Sequence, residues 1–228
     1  MKLSIIVPVY NEKSTIREII RRVRAAPVEM NKEIVAVDDC STDGTRDLLL
    51  AEAEVGDVRL ISHPVNLGKG AAVRSGLAEA TGDIILIQDA DLEYDPEDYP
   101  ALLRPILRQR AKVVYGSRFL GEHKAMLFWH SVGNNLLTLA ANVLYDSSLT
   151  DMETCYKVFT REVAQQIKLR SPRWGFDPEI TARILKLGYR IYEVPISYTG
   201  REYTEGKKIS WRDGLVVLWT LIKCRFTD

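Results

Sequence analysis

The chain has 228 residues, 46% of them hydrophobic and 27% charged, with 31 basic side chains set against 31 acidic ones. This balance excludes a disordered, collagen-like or coiled-coil chain and a general nucleic-acid binder, and it confines any anion site to a local cluster. Cys40, Cys155 and Cys224 lie far apart without CxxC spacing, so reduced thiols in a cytoplasmic protein are expected, not a disulfide framework or a structural metal.

In chain order, an apolar strand from Leu3 to Val9 precedes a helical pattern from about Ser14 to Ala26. A second strand, Ile34 to Val37, leads into a helix from about Thr42 to Ala53. Val58 to Ile61, a helix from about Lys69 to Ala80 and the strand Ile84 to Ile87 complete the series. Strands rich in Val and Ile, each followed by a helix, predict repeated βαβ units and an α/β fold whose mostly parallel sheet is covered by helices on both faces. After Asp95-Pro96-Glu97 another helix leads to the strand Lys112 to Tyr115, and beyond Arg118 the alternation is lost. One domain over 1–228 is expected, with 1–118 as a first half and 119–228 as an elaborated second half.

Two later segments bear on membranes. Between Lys124 and Asp146 no residue is formally charged, but Ser131, Gly133, Asn134, Asn135, Thr138 and Asn142 interrupt the run, which makes a poor spanning helix. The run from Gly214 to Ile222, followed by Lys223 and Arg225, is too short to cross a bilayer and suits an interface. Burial of both segments as core or dimer helices is the alternative.

In open α/β sheets ligands bind beyond the carboxyl ends of the strands. There the chain places Pro8-Val9-Tyr10-Asn11-Glu12, Val37-Asp38-Asp39-Cys40-Ser41 and Gln88-Asp89-Ala90-Asp91-Leu92-Glu93. Asp89 and Asp91 leave an apolar strand together, an arrangement suited to a hard cation such as Mg²⁺ or Mn²⁺ that shares its coordination with substrate phosphates. A nucleoside diphosphate supplies such phosphates. Asn66-Leu67-Gly68-Lys69-Gly70 does not continue as GxGxxG, since Val73 stands at the third glycine position, and no Walker A sequence occurs.

Together with Gly116-Ser117-Arg118-Phe119, these motifs identify a family resemblance. From Leu3 to about Lys208 the chain resembles family 2 glycosyltransferases of the GT-A fold, and among them the dolichol-phosphate mannose synthase group of polyprenyl-phosphate sugar transferases. The resemblance implies a nucleoside-diphosphate-sugar donor, GDP-mannose first and UDP-glucose second. It also implies a polyprenyl phosphate acceptor, with a soluble or polysaccharide acceptor as the alternative, inversion at the anomeric carbon and peripheral attachment to the cytoplasmic membrane face, through surface helices or a separate membrane partner.

Position by position, Pro8, Tyr10 and Glu12 resemble the first nucleotide-contact loop, with Tyr10 near the base, and Val37 and Asp39 the nucleoside site. Asp89, Ala90 and Asp91 resemble the diphosphate and metal segment, with Asp91 and Glu93 as metal ligands. A capped turn into the following helix is the alternative for Asp38 or Asp39. Arg118, Arg201 and Lys208 are expected to neutralise phosphate charge, Lys207 being an alternative to Lys208, while His130, Ser131 and Asn134 correspond to acceptor-phosphate contacts. The segment Asp151 to Phe159 resembles one that shapes the sugar pocket, and Asp177 or Glu179 reads either as a hydroxyl contact or, for Asp177, as a helix cap. An anionic acceptor needs no strong general base. A non-catalytic nucleotide-binding module is the rival from another class.

Overall fold

The computed structural model describes residues 1–124, 127–173, 175–200 and 211–227. In chain order the elements are β1 (Lys2–Val9), α1 (Ile16–Ala25), β2 (Asn31–Asp38), α2 (Thr45–Glu54), β3 (Val58–Ser62), α3 (Lys69–Glu79) and β4 (Ile84–Ile87). A 3₁₀ turn (Pro96–Asp98) then opens α4 (Tyr99–Leu107), followed by β5 (Val113–Ser117), α5 (Phe128–Tyr145), β6 (Lys157–Thr160), α6 (Arg161–Gln166), α7 (Phe176–Lys186), β7 (Ile191–Pro195) and α8 (Trp211–Phe226).

The strands form one sheet in the order β3-β2-β1-β4-β6-β5-β7. β1 pairs in parallel with β2 and β4, in the registers Val9↔Asp38 and Ile6↔Ile87, while β6 is antiparallel to both of its neighbours. The sheet is thus the expected mostly parallel α/β sheet, and the antiparallel strand is an insertion the sequence pattern did not announce. Ile5, Ile6, Val7, Ile84 and Leu86 are fully buried in the main core with Ile16, Ile19 and Ile20 of α1. Cys155 and Cys224 are buried free thiols, as expected, and Cys40 is half-buried.

From β1 the chain steps outward through β2 to β3 and then crosses to the other side of β1 as β4. This reversal is a topological switch point, which opens a crevice between diverging loops beyond β1 and β4. Asp39 N–H donates to Val9 O at 2.8 Å and Gln88 N–H to Ile6 O at 2.9 Å, so the two acidic strand ends are fixed on either side of β1. Helix α2 starts three residues later than expected. Asn11 Oδ1 takes the Thr42 N–H at 2.8 Å, Gly44 is left-handed, and Asp43 Oδ1 accepts from Thr45 N–H at 3.0 Å, which makes 41–44 a structured turn.

A second, smaller core joins α5 to α8 through Ala141, Met152, Val217 and Leu221. Tyr145 donates to Leu221 O at 2.7 Å across the same contact. No helix among the described residues is long and apolar enough to cross a membrane.

Candidate active site at the carboxyl rim of the sheet

The loops leaving β1, β2 and β4 each hold one non-glycine residue in the left-handed region: Asn11 (φ 54°), Cys40 (φ 63°) and Leu92 (φ 64°). For Cys40 and Leu92 this conformation costs about 1–2 kcal/mol, and such strain gathers where loop shape matters to function. Pro8 and Glu12 are half-buried and Tyr10 is exposed at this rim. Val37 is enclosed with Val35 and Ala72, so any contact it makes to a ligand runs through its backbone.

Asp39 is buried, and both of its carboxylate oxygens are engaged. Its Oδ1 accepts from Leu67 N–H at 2.8 Å and from His63 Nδ1 at 2.7 Å, and its Oδ2 accepts from Gly68 N–H at 2.6 Å. His63 Nε2 meets the Ser75 hydroxyl at 2.9 Å, giving a relay from α3 to the carboxylate. Asp38 takes the capping role instead, accepting from Ser41 N–H at 3.1 Å and from Arg46 Nε at 2.6 Å. Gly68 and Gly70 admit a close neighbour: a Cβ on them would lie 2.5 Å from Pro172 O and 2.2 Å from Ser171 O. Those glycines let the 171–173 backbone seal the loop, which is a packing role.

Lys69 opens α3 and reaches Asp89, with its Nζ 2.8 Å from Oδ1 and 3.0 Å from Oδ2. Burial alone would lower the Lys69 pKa, but the adjacent Asp89 carboxylate holds it well above the ordinary lysine value. Burial likewise works to raise Asp89, and Lys69 together with a hydrogen bond to Cys155 brings it below the usual carboxylate range. The first acidic residue of the pair is therefore ionised and internally paired. Asp91 Oδ1 accepts from Glu93 N–H at 3.1 Å, which shapes the turn after Ala90.

Glu93 connects that turn to a larger assembly. The Tyr198 hydroxyl donates to Glu93 Oε2 at 2.9 Å, Thr199 N–H donates to Glu93 O at 3.0 Å, and the Tyr198 ring stands 5.2 Å from the Arg118 guanidinium carbon. Arg118 is itself locked by Asp151, whose Oδ2 takes both its backbone N–H at 3.0 Å and Nε at 2.7 Å, while Oδ1 takes Nη2 at 2.7 Å. Asp151 is fully buried and Arg118 is nearly so. Bidentate pairing fixes the guanidinium plane, and much of its charge answers Asp151. Glu193 supports the arrangement from below by accepting from Thr150 N–H at 2.9 Å and Asp151 N–H at 3.1 Å.

A second buried pair lies beside the first. Lys157 Nζ, fully enclosed, reaches Asp177 Oδ1 at 2.5 Å and Thr154 O, so Asp177 in the first turn of α7 is an ion-pair partner with no helix-capping bond. Glu179 Oε2 accepts from Arg170 N–H at 2.9 Å and Ser171 N–H at 2.6 Å, holding the segment that covers Gly68 and Gly70. Glu153 stands between the two pairs, and its Oε1 is buried without a hydrogen-bond partner among the described residues. Burial, reinforced by Asp177 and opposed by Lys157 and Arg118, pushes its carboxyl up to about 8.

His130, Ser131 and Asn134 are half-buried on the first turns of α5. Arg201, Lys207 and Lys208 lie outside the described residues. Sequence reasoning did not find the partners of Asp39, Asp89, Arg118 and Asp177. Each pair spans 20 or more positions, where no local spacing rule operates. Among the described residues, no group of three or more His, Cys, Asp or Glu side chains converges as a metal cage. Asp91 and Glu93 suit the alternative, an ion that takes only one or two carboxylates and completes its shell with substrate phosphates.

The family model of glycosyl transferase family 2 matches residues 4–168. Among curated relatives, a dolichyl-phosphate beta-glucosyltransferase of Trichomonas vaginalis is 30% identical over 213 residues, covering 86% of this chain and 65% of the relative. An undecaprenyl-phosphate 4-deoxy-4-formamido-L-arabinose transferase of Salmonella paratyphi A is 27% identical over 233 residues, covering 99% of this chain and 68% of the relative. The chain thus spans about two thirds of the length of these relatives. Among solved structures, glucosyl-3-phosphoglycerate synthase from Mycobacterium tuberculosis, in complex with Mn²⁺, UDP and phosphoglyceric acid, superposes with a TM-score of 0.77 at 20% identity, covering 100% of this chain and 79% of that one. That likeness establishes the GT-A-like α/β fold. With the family model spanning well over half of its length, the chain belongs to glycosyl transferase family 2.

Proposed function

We propose that the protein is an inverting hexosyltransferase that moves a sugar from a nucleoside-diphosphate sugar to a polyprenyl phosphate at a membrane surface. The observation that carries this reading is the junction of the rim with the α5–α8 pair. Met152 is buried between these helices and its N–H donates to Thr138 Oγ1 of α5 at 3.2 Å, while the preceding residue, Asp151, holds Arg118 at the rim. Outward from that junction Trp129, Val143, Trp219 and Phe226 are 77%, 75%, 63% and 81% exposed, an apolar face fit to lie among lipid headgroups beside the reacting groups. Lys223 and Arg225 in the last turn of α8 suit the same setting.

In this reading Asp39 with its His63 relay fixes the nucleoside, with Pro8, Tyr10, Glu12 and the Val37 backbone around it. Asp91 and Glu93 would hold Mg²⁺ or Mn²⁺ together with the donor diphosphate, beside the Asp89–Lys69 pair. The ion supplies charge neutralisation for the departing diphosphate. Lys69 and Arg118 add fixed positive groups next to it, and Arg201 and Lys208 carry over from the family resemblance as further phosphate contacts. His130, Ser131 and Asn134 receive the acceptor phosphate. An oxygen of that phosphate attacks the anomeric carbon as the bond to the diphosphate breaks, so a single displacement inverts the centre. The acceptor oxygen is already anionic and no side chain is required to remove a proton.

GDP-mannose is the donor implied by the sequence resemblance, whereas the names of the curated relatives, a glucosyltransferase and an arabinose transferase, favour trying UDP-glucose first. The test incubates purified protein with Mn²⁺, a short polyprenyl phosphate and a mixture of UDP-glucose and GDP-mannose, and identifies the lipid product by mass. A glycosyl phospholipid is expected. Nucleotide binding without lipid product, or transfer to a soluble acceptor alone, would overturn the assignment.

A further inference from the structure

Among the described residues, three buried side-chain polar atoms have no hydrogen-bond partner: Glu153 Oε1, Thr160 Oγ1 and Arg183 Nε. Only Glu153 belongs to the rim. It follows Asp151, the partner of Arg118, by two positions and precedes Lys157, the partner of Asp177, by four. A polar group sealed from water without a partner is costly, and at the rim of a ligand site a ligand hydroxyl is one way to complete it.

The surroundings select the ligand. Arg118 and Lys157 are answered by Asp151 and Asp177, so the four groups sum to no net charge around Glu153. At the position of Glu153 itself the balanced charges favour a neutral polyol over a further phosphate. A carboxyl that keeps its proton carries one donor and an acceptor, the complement of a sugar hydroxyl. The residue as a whole is half-buried, and rotation about the broad terminal torsion of a glutamate exchanges its two oxygens between the sealed and the open side.

We propose that Glu153 is a specificity-determining residue for the transferred sugar: its unpartnered carboxyl oxygen exchanges a hydrogen bond with one hydroxyl of the donor sugar. This rests on the transferase reading above and adds to it which side chain chooses among hexoses. Sugars that differ in the presence or orientation of that hydroxyl are sorted here, because the wrong one leaves the buried carboxyl unmatched.

The test is a cycle of enzyme and substrate deletions. kcat/KM is measured for the sugar nucleotide that the wild type turns over and for its 2-, 3-, 4- and 6-deoxy analogues, with wild type, Glu153→Gln and Glu153→Ala. One deoxy donor is expected to lose about tenfold or more with the wild type. Glu153→Ala should lose a similar factor on the natural donor and nothing further on that one analogue, while Glu153→Gln, which keeps a donor and an acceptor, stays within about threefold of wild type. Glu153→Met fills the same volume without a polar atom and repeats the cycle if the alanine variant folds poorly. If every deoxy donor loses the same factor in the alanine or methionine variant as in the wild type, the inference fails while the transferase reading stands. A defect confined to the KM of the acceptor phosphate overturns it as well. Failure of the wild type to turn over any sugar nucleotide overturns both.

Discussion

Around β1, β2 and β4 the polar groups are matched to one another, whereas along α5 and α8 the apolar groups are left open. Asp39 has every oxygen engaged by His63, Leu67 and Gly68, Asp89 is met by Lys69, and Arg118 by Asp151. On α5 and α8, by contrast, Phe128, Leu136, Leu139, Leu215 and Trp219 join the exposed face while only a narrow seam packs between the helices. The first region is organised before any ligand arrives. The second leaves large apolar side chains in the open. A transferase with a water-soluble donor and a lipid acceptor needs both kinds of surface, joined at 150–153.

The largest effect should come from breaking the organised side at the proposed cation position, Asp91. Asp91→Ala is expected to lower turnover by about 10³-fold, equal to about 4 kcal/mol of barrier, while leaving the melting temperature near that of wild type. Steady-state kinetics over a Mn²⁺ series measures it. Asp151→Ala strikes the same side through stability, because it strands the buried Arg118 guanidinium. A loss of about 3–5 kcal/mol is expected in urea unfolding. On the open side, a Trp129→Glu/Trp219→Glu double variant should weaken sedimentation with phosphatidylglycerol-containing vesicles by about tenfold or more without lowering the melting temperature.

The smallest effects sharpen the junction. Burial raises Glu153 from an ordinary 4.5 to about 8, so the folded chain keeps a proton that the unfolded chain releases between those values. Stability from this group is complete below about 4.5, declines as pH rises towards 8 and is flat above it. Thermal melts from pH 5 to 9 should show a shallower decline for Glu153→Gln than for wild type. Tyr198→Phe removes only the hydroxyl that reaches Glu93. It is expected to raise the Mn²⁺ concentration for half-maximal rate a few-fold, in line with one hydrogen bond of about 1 kcal/mol.

The first half was legible because its signals are local. The apolar run Ile84 to Ile87 is β4 itself, and the boundaries of β1, α1 and α3 shift by no more than two residues from their hydrophobic periods. β6 was not legible: it is four residues long, begins with a lysine and runs antiparallel between β4 and β5, and the burial of that lysine depends on Asp177, 20 positions away. In the site, acidic residues at strand ends marked the rim, yet their charge partners did not show. His63 carries no local signal in the sequence, and the fold places it between Asp39 and Ser75. The amphipathic character of α5 and α8 was visible as uncharged runs, while the face each presents outward depended on Met152 and Val217 forming the seam.

The central claim is that the organised rim and the open apolar face serve one reaction. Its most direct test is the initial rate of sugar transfer from the preferred sugar nucleotide to polyprenyl phosphate held in vesicles, compared with a short-chain soluble acceptor, for wild type and the Trp129→Glu/Trp219→Glu variant. The account predicts that the variant loses about tenfold or more of its rate on vesicles and keeps its rate on the soluble acceptor. Equal rates for the two proteins on vesicles would contradict it.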